Sequence, residues 1–201
     1  MNAEDRDARW MKLAIELAGK GLGLTSPNPC VGAVIVHKDQ IIGSGFHEKA
    51  GLPHAERNAI ADGIAKGNVG LFPDSTLYVT LEPCSTTGKT PPCTEAIIKH
   101  GFKRVVYGSE DPNPGHKGIA AEILKNAGIK VTRGVLEKEC DFLIRAFRLN
   151  MMEGRSWVIA KSAMSLDGHI SRSPERSQWL TGKAARSFVH TLRSECEAVM
   201  T

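Results

Sequence analysis

Apolar positions follow two rhythms along this chain, and their order predicts an α/β architecture. Near the start, Trp10, Leu13, Ala14, Leu17 and Ala18 recur at i, i+3, i+4, i+7 and i+8, which puts them on one helical face. Gly19, Gly21 and Gly23 then end the helix. The loop Thr25-Ser26-Pro27-Asn28-Pro29 follows, because two prolines in three residues forbid a helix. Residues 31–37 and 40–46 are β-forming runs joined by Lys38-Asp39, the pattern of a hairpin. Pro53 opens a helix over 54–66. Beyond it, strands are expected at 76–81, 104–108 and 129–132, and helices at 92–99, 118–126 and 137–151. Alternation of this kind predicts helices on both faces of a mixed sheet, an α/β sandwich of three layers. Gly154-Arg155 reads as a boundary, dividing the chain into 1–153 and 154–201. The second part begins with a strand at 157–164 and continues to a helix at 183–193.

Composition narrows the function classes. The net charge of +4 is mild, and aromatic residues make up 5% with no basic-aromatic block, so a nucleic-acid partner is not expected. The first ten residues lack an apolar segment, and no apolar run is long enough to span a bilayer; we therefore expect a cytoplasmic protein without a membrane partner. Five cysteines, Cys30, Cys84, Cys93, Cys140 and Cys196, point to metal or free thiols rather than a disulfide framework.

Three fragments carry chemistry: Pro53-His54-Ala55-Glu56, Glu82-Pro83-Cys84 and Pro91-Pro92-Cys93. One imidazole and two thiolates leave the fourth position of a tetrahedral Zn²⁺ open, which defines a catalytic rather than a structural site. His54 and Glu56, two residues apart, do not share a helix side. They reach one point only if the metal sits beyond the helix N-terminus, so His54 is expected in the first turn and Cys93 at the start of another helix. Two positive helix ends would then face the thiolates. Glu56 is placed as the proton carrier. The pattern follows the H-x-E…P-C-x-x-C signature of zinc deaminases, except that eight residues separate the two cysteines. A closed structural zinc site is the bland alternative, with His47 as the best fourth ligand. Cys140 and Cys196 read as core thiols, and Cys30 as a buried one.

The chain resembles the bifunctional riboflavin-biosynthesis deaminase/reductase family. The likeness rests on Asn28-Pro29-Cys30-Val31-Gly32, the stretch 47–56, Thr80-Leu81-Glu82-Pro83-Cys84, Gly88-Lys89-Thr90-Pro91-Pro92-Cys93 and Asp111-Pro112-Asn113-Pro114. It implies a cytidine-deaminase-like sandwich followed by a fragment of a dihydrofolate-reductase-like domain. The implied reaction is hydrolytic deamination of 2,5-diamino-6-(5-phosphoribosylamino)pyrimidin-4(3H)-one, releasing ammonia. By the same resemblance, the partner is this small phosphorylated pyrimidine, held by Asn28, His47, Lys89, Asp111 and Asn113. A lysine on a glycine-containing loop suits a phosphate. The family usually carries histidine where Thr86 stands, and often where Asn58 stands; the first departure bears on the expected phosphate or ribose contact.

From Trp157 onward, Ala163-Met164-Ser165-Leu166-Asp167-Gly168 and Gln178-Trp179-Leu180-Thr181 resemble the opening of the family's reductase domain. Lys161, Thr181 and Arg193 fall at implied substrate positions there. NADPH is expected as a cofactor only for a complete reductase domain, one that reduces 5-amino-6-(5-phosphoribosylamino)uracil. A homo-oligomer is compatible with the sequence. Two other readings compete: a deaminase of another base or nucleoside, disfavoured by the Gly-Lys-Thr-Pro-Pro insert, and a non-catalytic ligand-binding module, disfavoured because His54, Glu56, Cys84 and Cys93 are all present.

Overall fold

The computed structural model describes residues 2–87, 91–171 and 179–200. The chain divides into two compact units, Met1–Ser156 and Trp157–Thr201.

The first unit is built on a five-stranded sheet of order β2-β1-β3-β4-β5. The strands are β1 (Gly32–His37), β2 (Gln40–Phe46), β3 (Thr76–Leu81), β4 (Arg104–Ser109) and β5 (Lys130–Arg133). β1 pairs antiparallel with β2 and with β3, whereas β3, β4 and β5 are parallel. The expected hairpin turn forms at Lys38 and Asp39, both at positive φ (46° and 58°), the backbone whose twist matches the flanking strands. The parallel members are joined by helices: α3 (Cys93–Lys99) connects β3 to β4, and α4 (Ile119–Asn126) connects β4 to β5. Such crossovers are what parallel neighbours require.

Strand alternation divides the core into two. Ala33, Ile35, Leu77, Val79, Val105 and Tyr107 face one side, where they meet α2 (Ala55–Ala65), α3 and α4 through Ala59, Ile60, Ile97, Ala121 and Leu124. Val34, Val36, Tyr78 and Val106 face the other side, packed with Trp10, Met11 and Ala14 of α1 (Ala3–Gly19) and Cys140 of α5 (Glu137–Leu143). This is the expected three-layer sandwich. Close packing of α2 on the sheet depends on missing side chains. A Cβ on Gly45 would sit 2.6 Å from the Ala59 nitrogen and 2.7 Å from the Asn58 Cβ. The first helix is held as well by a buried network: Arg104 grips the Asp7 carboxylate, whose Oδ1 also accepts from the Tyr78 hydroxyl at 2.9 Å.

Two expectations are corrected, and one element is added. The single helix over 137–151 is two helices, α5 and α6 (Arg145–Glu153), broken at Ile144 (φ −102°, ψ 18°). Ile144 is buried at the break, and the Arg145 guanidinium donates to the Phe142 carbonyl at 2.8 Å. Residues 69–74, unassigned from sequence, form a 3₁₀ turn around Pro73. In the second unit, 157–164 forms no strand. A strand needs a neighbour to complete its hydrogen bonds, and no second strand is present among the described residues of that unit. Its helix α7 (Lys183–Ser194) forms as expected. No described helix is long and apolar enough to cross a membrane.

Candidate metal centre

Two helix starts and one strand end converge on one point. His54 is the N-cap of α2, with extended backbone (φ −73°, ψ 164°), one residue before the first turn where the sequence pattern put it. The Pro53-His54 pair thus aims the imidazole past the helix end while Glu56 follows inside the first turn. Cys93 is the first residue of α3, after Pro92. Cys84 follows β3 by three residues, and its carbonyl accepts the Thr94 amide at 3.2 Å.

The three donors fit zinc. His54 Nδ1 lies 3.4 Å from Cys84 Sγ and 3.5 Å from Cys93 Sγ, and all three ligand atoms fall within 4.8 Å of one another. Ordinary Zn–N and Zn–S lengths in a tetrahedron give N···S edges of about 3.5–3.6 Å, which the two observed N···S separations match. The Cys93 amide also donates to Cys84 Sγ at 3.2 Å, a bond that favours the thiolate. Cys84 is accordingly held below the usual thiol range, first by the Cys93 thiol and then by His54, against burial. No described histidine, cysteine, aspartate or glutamate joins the three as a fourth ligand. An open coordination position is what distinguishes a catalytic from a structural zinc site.

Glu56 is 3% exposed, and its carboxyl is pushed up to about 7, by burial first and by the neighbouring Cys84 sulfur second. A carboxyl poised there exchanges protons readily at neutral pH.

His47 is not a ligand. Its ring lies edge-on to His54, with centroids 5.4 Å apart, and both its nitrogens are engaged elsewhere. Nδ1 donates to the Pro53 carbonyl at 3.1 Å, which leaves Nε2 to accept from the Asn28 amide at 3.0 Å. Burial lowers the His47 pKa, so the ring is neutral near pH 7. The Asn28 amide group is thereby oriented against the ring that neighbours His54. Asp111 and Asn113 lie on the loop after β4, where Asp111 Oδ1 accepts the Asn113 amide at 2.9 Å and Asn113 Oδ1 accepts that of Gly115 at 3.0 Å. Lys89 lies outside the described residues. In the second unit, Lys161 is exposed, Thr181 precedes α7, and Arg193 stands in its last turn.

The two departures from the expected histidines have structural partners. Asn58 donates to the Phe46 carbonyl at 2.8 Å, tying α2 to the end of β2. Thr86 Oγ1 lies 3.3 Å from His116 Nε2, so an imidazole does stand beside that position, supplied by the loop after β4. Sequence reading missed Arg57, whose guanidinium donates to the Pro91 and Pro92 carbonyls at 2.9 and 3.1 Å and ties α2 to the approach of α3. A signal was available: a base in a helix's first turn opposes the dipole and asks for a partner.

Comparison with known proteins agrees with this centre. Residues 4–109 match the cytidine and deoxycytidylate deaminase zinc-binding region, and residues 156–201 match the RibD C-terminal domain. The riboflavin biosynthesis protein RibD of Aquifex aeolicus is 46% identical over 96% of this chain and 53% of its own length. That of Escherichia coli is 41% identical over 98% of this chain and 51% of its own. A Thermotoga maritima structure titled diaminohydroxyphosphoribosylaminopyrimidine deaminase/5-amino-6-(5-phosphoribosylamino)uracil reductase superposes with a TM-score of 0.89 at 47% identity, over 96% of this chain and 54% of that one. The chain thus spans about half the length of the relatives it matches. With its zinc-binding region matched over more than half its length, the chain belongs to the cytidine and deoxycytidylate deaminase zinc-binding family, and it is similar to RibD proteins along nearly all of its residues.

Proposed function

We propose that this chain catalyses the zinc-dependent hydrolytic deamination of 2,5-diamino-6-(5-phosphoribosylamino)pyrimidin-4(3H)-one, a step of riboflavin biosynthesis. The observation that carries it is the buried Glu56 carboxyl beside a three-ligand His54–Cys84–Cys93 set. The substrate is the one the Thermotoga deaminase/reductase is named for, and the pathway is that of its RibD relatives.

Zinc, when bound by His54, Cys84 and Cys93, supplies the Lewis acidity that makes a water nucleophilic near neutral pH. Asn28, oriented by His47, meets the pyrimidine edge. Glu56 takes a proton from the attacking water and passes it to the ring nitrogen next to C2. As the new C–O bond forms and the C2–N bond breaks, the same carboxyl carries a second proton to the departing amine, which leaves as ammonia. Its position near pH 7 suits both directions of transfer. Lys89, Asp111 and Asn113 hold the phosphoribosyl end. The residues from Trp157 onward, with Lys161, Thr181 and Arg193, contribute to an NADPH-dependent reductase only within a complete domain. Cysteine ligands that must stay unoxidised are favoured by a reducing compartment, which supports placing the reaction in the cytoplasm.

The test is ammonia release from the phosphorylated diaminopyrimidine, with cytidine as the control. Release from the first and not the second is expected. Release from cytidine alone would refute the substrate assignment.

A further inference from the structure

Glu82 is a buried carboxylate for which the proposed reaction has no use. It is 3% exposed and stands at the C-terminal end of β3, two residues before the ligand Cys84. Its amide donates to the Ser109 carbonyl at 2.8 Å, which continues the β3–β4 ladder by one step. Its carboxylate crosses to the next connection and accepts three backbone amides there. Oε2 accepts Asp111 at 3.3 Å and Gly118 at 3.0 Å, and Oε1 accepts Ala120 at 3.2 Å.

These donors lie at both ends of one loop. Asp111 begins it, and Gly118 and Ala120 are the N-cap and second residue of α4. Gly118 has a left-handed backbone (φ 78°) and no side-chain cap of its own. Glu82 caps this helix from a distant strand, with its negative charge at the positive helix end. The loop is knitted inside as well: Asp111 Oδ2 meets the His116 ring at 3.4 Å, and His116 Nε2 reaches Thr86 Oγ1 at 3.3 Å. The loop therefore touches the metal-bearing segment on both sides of Cys84, at Glu82 and at Thr86.

We propose that Glu82 is a positioning residue: its carboxylate fixes the 111–118 loop against the Cys84 segment and so sets the spacing between the metal centre and the loop that holds the phosphoribosyl end. The use of that spacing rests on the proposed function; the fixing of the loop does not. A carboxylate suits the task because it accepts several amides at once in charge-assisted bonds, whereas a carboxamide turns an NH₂ group toward one of them.

Amide hydrogen exchange tests the clamp on the wild-type chain without any substrate. The amides of Asp111, Gly118 and Ala120 are expected to exchange slowly and at a common rate; fast, unrelated rates would overturn the proposal. In Glu82→Gln, exchange at 111–120 should quicken while that of α2 and α3 stays unchanged, with one zinc retained. KM for the phosphorylated pyrimidine should rise about tenfold or more with kcat within about twofold, the mark of lost binding rather than lost chemistry. In an Asp111→Ala, Asn113→Ala background, Glu82→Gln should add little to KM, because the loop it positions no longer binds. A full additive effect, an equal fall in kcat, or loss of zinc would overturn the positioning role. If the wild-type chain does not deaminate this pyrimidine, the substrate assignment fails, and the exchange rates still decide whether Glu82 holds the loop.

Discussion

Replacing Glu56 by Gln should remove turnover and, in the metal-free chain at alkaline pH, raise stability. The two effects share one cause. Burial holds the Glu56 carboxyl at about 7, against an ordinary 4.5. Between those values the folded state keeps a proton that the unfolded chain releases. Wild-type stability from this group is therefore complete below pH 4.5, falls as pH rises toward 7, and levels off above it. The difference corresponds to about 3 kcal/mol. Glutamine fills nearly the same volume, never ionises, and escapes this loss. Urea unfolding of both metal-free proteins at pH 4 and pH 8 reads the effect directly. The stability of Glu56→Gln relative to wild type should improve by about 3 kcal/mol from the first pH to the second. Deamination by the zinc-loaded variant should fall about 10²–10⁴-fold. A stability difference independent of pH would refute the buried, proton-holding carboxyl. Retained activity would remove Glu56 from proton transfer.

Three other changes probe the supports of the site. Gly45→Ala puts a methyl 2.6 Å from the Ala59 nitrogen, so α2 must shift; a loss of about 1–3 kcal/mol in thermal or urea unfolding is expected, with weaker zinc retention in a chelator competition. Arg104→Ala strands the buried Asp7 carboxylate and should destabilise the fold by about 3 kcal/mol in urea while leaving zinc content unchanged. Lys89→Ala should raise KM for the phosphorylated pyrimidine and change that of its dephosphorylated form little; equal effects on both would remove Lys89 from phosphate binding.

Local chemistry made the metal-site residue types legible in the sequence. His54, Cys84 and Cys93 are donors whose spacing after prolines forecasts two helix starts, and the backbone at α2 and α3 follows that forecast. The strands could be read because β-branched and apolar residues recur in each, and the Lys38-Asp39 turn because two short β-forming runs flank it. Sheet order could not, since the place of β1 between β2 and β3 depends on its pairing with β3, a strand far away in sequence. The break at Ile144 was invisible because the apolar pattern continues through it. The strand expected at 157–164 shows the limit of composition: Trp157, Val158 and Ile159 favour extended chain, but a ladder also needs a partner. Glu82 and the His47–Asn28 hydrogen bond were beyond reach for a related reason. Each acts on a group from another segment, and only folding reveals which segments meet.

The most direct test of a zinc-dependent deaminase is titration. Zinc is removed from the purified chain and then added back in fractions of an equivalent while ammonia release from the phosphorylated diaminopyrimidine is followed. Activity should be absent at first, rise in proportion to added zinc, and stop rising at one zinc per chain. Full activity in the metal-free protein, or no recovery at one equivalent in a chain that remains folded, would contradict the assignment of His54, Cys84 and Cys93 as a catalytic zinc centre.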